Sequence, residues 1–278
     1  MRSLTRSYTP NQISVEKLLA EILKIPIPAQ APEPEAPAQA PVENNLEFLT
    51  LHNVGGHDVL QVARDIFRAA DGKQTSKTPY NHVVYAEQQG LFIPSFALSC
   101  NILAALFKGK DNPDAKAVLD QYKDKGNGDG WHAQNTLINY MNSEIIHYPS
   151  AADFNATNPI NLQQNRIVLP FDKSVLEDAL LKDALKTSSF ADYVQKLTGL
   201  DDPSILVDIG KYFGRPAKVW FPWTGKNGVS FKEKRVAWLG CGTGSLDLGS
   251  YDDLSSNSAA RGVRRVGERS EPGAGGAV

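Results

Sequence analysis

Hydrophobic spacing divides the chain into stretches of different character. Residues 14–25, "SVEKLLAEILKI", carry apolar side chains at 15, 18, 19, 22, 23 and 25. That spacing predicts a helix, with Ser14 as N-cap and Glu16 favourably placed in the first turn. Residues 26–45, "PIPAQAPEPEAPAQAPVENN", place a proline every few positions between alanines and acids. Such a stretch stays extended and cannot pack, so it reads as a linker. The N-terminal helical segment, 1–25, is then an appendage for docking or oligomerisation.

A main domain is expected over 46–268, followed by a flexible tail at 269–278. "LEFLTLHNV" alternates as a strand, and the spacing of "GHDVLQVARDIFRAADG" predicts an amphipathic helix ended by Gly72. "HVVYAEQQGLFI" reads as strand, turn and strand. Two helices follow, "SFALSCNILAALFKG" and "NPDAKAVLDQYKDKG", the second opened by Asn112-Pro113. After the glycine-rich 126–130 a helix is expected through 133–142. "RIVLPF" is strand-like, helices are expected at 173–186, 189–198 and near 203–212, and a strand at 217–221. From Val229 the chain becomes short apolar runs separated by Gly, Ser and Asp, ending in "ARGVRRV" at 260–266. There is no internal repeat and no βαβ series. The prediction is a mixed α+β domain.

Composition narrows the classes of partner. The 278 residues carry a formal net charge of −2, which gives no electrostatic footprint for nucleic acid or an anionic membrane. No apolar run is long enough to span a bilayer. The start, "MRSLTRSYTPNQISVEKLL", is polar where a signal peptide needs its apolar stretch. The expectation is a cytosolic chain by default, with surface display left open. Cys100 and Cys241 form no ligand pattern, and whether they pair stays open.

The C-terminal stretch holds the candidate chemistry. "VAWLGCGTGSLDLGSYDDL", 236–254, resembles the first cofactor loop of S-adenosylmethionine-dependent methyltransferases, where a strand and spaced glycines lead into a helix. The context departs from that family. Trp238 stands where those enzymes carry an acid, and about 20 positions downstream lie Ala260 and Arg261 instead of one. "SLDLGSYDDLSSNS" is poor helix material. A circularly permuted methyltransferase using Gly240, Gly242 and Gly244 remains the enzymatic alternative.

A different regularity covers the same residues. From Leu239 to Gly267 there is no Lys, Glu, Gln, Met or Trp, although the first three are frequent earlier. Those five are the residues whose codons must end in a purine. Every residue present can be written with a pyrimidine at the third position, the outcome expected if AAC-type codons were mutated at their adenines. The borders, "RVAWLGC" before and "AARGVRRV" after, resemble the fixed borders of the variable region in diversity-generating retroelement target proteins. The resemblance covers about residues 235–266 and is closest to divergent members, known from phages, bacteria and archaea.

The resemblance implies a C-type lectin-like fold with additional helices and a non-catalytic recognition role, without cofactor or metal. It carries the variable positions onto Gly242, Thr243, Gly244, Ser245, Asp247, Gly249, Ser250, Tyr251, Asp252, Asp253, Ser255, Ser256, Asn257 and Ser258. Leu239, Leu246, Leu248, Leu254, Arg261 and Val263 are scaffold in this reading. The helical stretch at 173–212 is then an insertion or a divergent helix. Tyr supplies rigid contact area at low entropy cost, while Ser, Gly, Asn and Asp adapt their hydrogen bonds, as in antibody loops. The implied partner is a protein or surface ligand particular to this variant, and the oligomeric state is open. Two plainer readings stand beside it: a ligand-free Gly/Ser/Asp loop, and a structural module tethered through its N-terminal helix.

Other motifs are weaker. His52, His57, His132 and His147 have no zinc spacing with a third ligand. "GNGDG" lacks the Glu of a calcium loop, and "SEPG" has Gly273 where a sugar-binding calcium motif needs Asn. "TGKNG" has no upstream glycine at P-loop spacing. A formylglycine-generating type of oxidase needs paired cysteines for copper, which this chain does not offer. Trp220, Trp223 and Trp238 are expected to pack the core or support the binding surface.

Overall fold

The computed structural model describes residues 46–69, 71–123, 131–148, 166–172, 178–221, 234–241, 244–250 and 258–266. The chain divides into two units, Met1–Glu43 and Asn44–Val278, and the described residues all belong to the second. The helix expected at 14–25, the linker and the tail lie outside them.

β1 (Phe48–Val54) and β2 (His57–Ala63) form a hairpin in which Val54 pairs with His57. Gly55 and Gly56 fill the turn at φ +59° and +82°, backbone that a two-residue hairpin requires and glycine adopts without strain. The helix expected over 56–72 is therefore corrected. Leu60 and Val62 are buried while Val59 and Gln61 are half-buried, a period of two. Buried Ile66 and Phe67 continue the apolar spacing in a turn, where the Asp65 carboxylate accepts from the Ile66 amide and from Arg68.

The next correction runs the other way. "HVVYAEQQ" is α1 (Pro79–Gln88), with Thr78 Oγ1 accepting from the Asn81 amide and Pro79 in the first turn. His82, Val83 and Ala86 form its buried face, so helical packing overrides the β-preference of the paired valines. Of the second expected strand only a bridge from Phe92 to Val263 exists. α2 (Phe96–Lys108) and α3 (Pro113–Gln121) stand where spacing placed them, capped by Ser95 and Asn112.

Residues 133–142 are not helical. Residues 133–139 belong to β3 (Trp131–Asn139), and 140–142 lie in the turn that leads back into β4 (Glu144–His147). Residues 132–140 are buried throughout, so the strand is covered on both faces and Gln134 and Thr136 find partners inside. Thr136 Oγ1 accepts from the Phe96 amide at 2.9 Å and meets His147 Nδ1 at 2.9 Å, while Ser99 Oγ donates to Gln134. Polar residues at both parities hide the strand alternation that a half-exposed strand displays.

β5 (Ile167–Pro170) agrees with expectation. The helix expected at 173–186 is shorter than predicted: 173–177 lie outside the described residues, β6 (Ala179–Leu180) follows, and only α4 (Leu181–Ala184) is helical. α5 (Ser188–Thr198) ends at Gly199 in the left-handed region, and α6 (Ile205–Tyr212) leads to β7 (Ala217–Trp220).

β8 (Lys234–Cys241), β9 (Leu246–Gly249) and β10 (Val263–Arg265) complete the described elements. Seven strands form one sheet in the order β5-β4-β3-β8-β9-β7-β6, and β1-β2-β10 form a second. Every pairing is antiparallel except β7 with β9. The protein is α+β, with helices beside a mixed sheet. No helix among the described residues is long and apolar enough to cross a membrane.

Residues 258–262, which lead into β10, are tied to the rest of the domain by backbone hydrogen bonds. Ser258 and Lys77 exchange backbone hydrogen bonds, the Ala133 amide donates to Ala259, and the Phe67 amide donates to Ala260. A Cβ on Gly262 would meet the Leu91 side chain at 2.6 Å and the Phe67 ring at 2.9 Å. The last described strand then pairs with β2, so the first and last described strands share one sheet.

Candidate recognition surface

The Gly-Cys-Gly-Thr-Gly string spans the end of β8 and its connection to β9. Cys241 pairs with Leu246 and Trp238 with Gly249, both antiparallel. The element after the glycines is thus a hairpin strand rather than a helix. It presents no helix N-terminus to a cofactor, and Gly240 sits within the β8 ladder between Trp131 and Asp247. Trp238, at the position of the methyltransferase acid, is core.

Of the positions carried over as variable, Gly242, Thr243, Tyr251, Asp252, Asp253, Ser255, Ser256 and Asn257 lie outside the described residues, as does scaffold Leu254. Gly244 is exposed, with open space where a side chain would stand. Ser245, Asp247, Gly249, Ser250 and Ser258 are buried. Scaffold residues Leu239, Leu246, Leu248, Arg261 and Val263 are buried as well, the leucines and the valine in the core.

The buried candidates each have a specific setting. Asp247 Oδ1 accepts from the Trp220 indole Nε1 at 2.6 Å and from the Ser245 hydroxyl. A Cβ on Gly249 would stand 2.7 Å from Trp220 Cβ and 2.7 Å from the Trp220 carbonyl oxygen. Ser250 Oγ is hydrogen-bonded to the Tyr140 hydroxyl, in a pit shared with Phe171 and Phe221. Burial pushes the Tyr140 phenol well above its ordinary range, and the Ser250 hydrogen bond partly opposes this. The Ser258 carbonyl accepts from His82 Nε2 at 2.7 Å.

The structure thus joins Ser245 to Asp247, and it sets Gly249 and Ser250 against side chains from other strands. Three contributors were not singled out from sequence: Lys218, Tyr140 and His82. Lys218 Nζ lies 3.3 Å from the centre of the Trp220 ring, with the Asp178 carboxylate at 3.9 Å. Once 217–221 is read as a strand, alternation separates Lys218 and Trp220 from buried Ala217 and Val219, a signal present in "AKVW". His82 carries no such signal, because its partner is 176 positions away.

His82 also carries a shifted pKa. Burial lowers its pKa to about 4, opposed by the hydrogen bond to Ser258 and assisted by nearby Lys77. Burial likewise lowers His147. Cys100 and Cys241 are separate buried thiols. Burial pushes Cys241 up to about 12, partly offset by Arg215. Among the described residues no three His, Cys, Asp or Glu side chains are placed to hold a metal ion.

An open groove of about 410 Å³ lies beside β7, with Lys182, Lys211 and Arg215 on its rim. Lys211 is paired with Asp208 and both lie on α6, where a cation in the last turn complements the helix dipole. That accounts for Lys211 without a ligand.

No protein-family model, curated protein or solved structure matches this chain.

Proposed function

We propose that this chain is a non-catalytic recognition protein on a C-type lectin-like fold, with its surface between residues 242 and 258 diversified by adenine-directed mutagenesis. The observation that carries the reading is the absence of Lys, Glu, Gln, Met and Trp from Leu239 to Gly267. The arrangement of the segment supports it. Its leucines face the core at Leu239, Leu246 and Leu248, and its return is fastened by Arg261 and Val263. A recognition surface needs a rigid scaffold beneath its exposed positions; of the described candidates Gly244 is exposed, while Ser245, Asp247, Gly249, Ser250 and Ser258 are buried beside that scaffold. The first hairpin and the last described strand sharing one sheet, in the order β1-β2-β10, suit a lectin-like domain, with α4 to α6 as the additional helices.

Sequencing the gene across a population of its host tests this. The expected result is substitution concentrated in codons 242–258, at positions that a template adenine explains, with codons 46–235 nearly constant. Substitution spread evenly along the gene overturns the reading. Calorimetry with S-adenosylmethionine addresses the enzymatic alternative, and saturable micromolar binding would favour it.

A further inference from the structure

Residues Lys218 and Trp220 of β7 stand opposite Asp247 and Gly249 of β9 in the one parallel pairing among the described strands. Gly249 has no side chain, so Trp220 Cβ approaches its Cα to a distance that any Cβ would block. From that seat the indole reaches back along β9 and donates to Asp247 at 2.6 Å, and Lys218, the partner of Asp247 in register, stacks its ammonium on the same ring. Asp247 is 4 % exposed, whereas Trp220 and Lys218 are half-buried. A buried member of the segment proposed to vary is therefore wired to two partly exposed residues outside it.

We infer that Trp220 is a specificity-determining residue whose orientation, together with that of Lys218, is set by the side chain at position 247. A residue at 247 that accepts from the indole holds the ring across β9. One that cannot accept leaves a half-buried N–H without its partner, and the ring turns toward water to recover a hydrogen bond. The aromatic face and its cation then change direction, so variation at a buried position alters what the surface offers a partner. Trp and a stacked cation are a potent pair at interfaces, which makes their direction consequential. The purpose assigned to this coupling rests on the recognition reading, but its measurement does not. A gene without focused diversification removes the recognition reading and leaves the coupling intact.

The experiment uses the full chain labelled with 5-fluorotryptophan. Its tryptophans give separate fluorine resonances, and Trp220 is identified as the signal lost in Trp220→Phe. In Asp247→Ala the Trp220 resonance is expected to move, and its solvent isotope shift to rise toward that of an exposed indole. In Asp247→Asn, whose amide oxygen still accepts, both stay near the wild-type values. An unmoved resonance in Asp247→Ala overturns the inference, as does Asp247→Asn moving as far as Asp247→Ala. If Asp247→Ala does not fold, indole N–H exchange in the unsubstituted protein decides. Slow exchange at Trp220 supports the coupling, and exchange at the rate of an unprotected indole overturns it.

Discussion

The Arg261 guanidinium donates to the backbone carbonyl of Ala63, a residue 198 positions earlier, and through its other nitrogen to the Gln121 side chain. Its Cζ lies 5.4 Å from the centre of the Tyr122 ring. One buried side chain therefore fastens the returning segment to the end of β2 and the end of α3. The fork of an arginine is needed for this, since a lysine ammonium cannot reach two acceptors in that geometry.

Arg261→Met is accordingly expected to lower the unfolding free energy by about 2–3 kcal/mol, the cost of losing charge-assisted buried hydrogen bonds and leaving their acceptors unmet. Arg261→Lys recovers little of it. Urea denaturation followed by circular dichroism measures both. An Arg261→Lys midpoint equal to wild type contradicts the role of the fork.

Position 249 gives a steric prediction. A methyl group there stands 2.7 Å from the Trp220 carbonyl oxygen and Cβ, so β7 has to move away from β9. Gly249→Ala is expected to cost about 1–3 kcal/mol, as overpacking does. Gly244→Ala, which meets nothing, is the control and should remain close to wild type. Equal midpoints for the two variants contradict the close approach.

The buried histidines set an acid limit. The folded pKa of His82 is depressed to about 4, below an unfolded value near 6.5, so below pH 6.5 the unfolded chain binds more protons. Its contribution is complete above pH 6.5, falls as pH drops toward 4, and levels off beneath, a loss of up to roughly 3 kcal/mol. His147 acts in the same direction. The exposed carboxylates Asp71, Asp114, Asp183 and Asp202 are held below their ordinary range by hydrogen bonds, so their contributions fade only as pH falls below about 4. Urea midpoints between pH 7.5 and 4 measure the decline, and His82→Gln should make it shallower. A slope unchanged by that substitution rules out His82 as its source.

Both thiols should be silent in the native chain. Cys100 and Cys241 are buried and their pKa values are raised, so few thiolates exist at pH 8. Titration with a chromogenic disulfide at pH 8 is expected to show slow reaction before unfolding and two thiols per chain in guanidinium. Rapid native reaction, or fewer than two thiols after unfolding, contradicts this burial.

Residues whose partners are local were the legible ones. Asn112-Pro113 opens a helix because the cap and the pre-set φ act within one turn, and Gly199 ends one for a similarly local reason. Misread stretches owe their state to distant packing. Residues 133–139 became a strand because β4 and β8 flank them, and Gln134 and Thr136 find partners on α2 and β4. The β1–β2 hairpin is different: Gly55-Gly56 between two β-rich runs is itself a turn signal, outweighed by the helical spacing of the residues beyond. For the candidate surface, spacing placed the leucines in the core but did not show that Ser245, Asp247 and Gly249 beside them are buried as well. The wiring of Asp247 to Trp220, or of Ser258 to His82, was not readable, because these contacts cross 27 and 176 positions of chain.

The central claim, that the segment 242–258 is a diversified recognition surface, is tested most directly by sequencing the DNA that flanks the gene. A diversified segment requires a nearby, near-identical repeat of the codons for about 236–266, differing from them chiefly where the repeat carries adenine, beside a reverse-transcriptase gene. Flanking DNA without such a repeat, or a repeat whose differences fall evenly on all four bases, contradicts it.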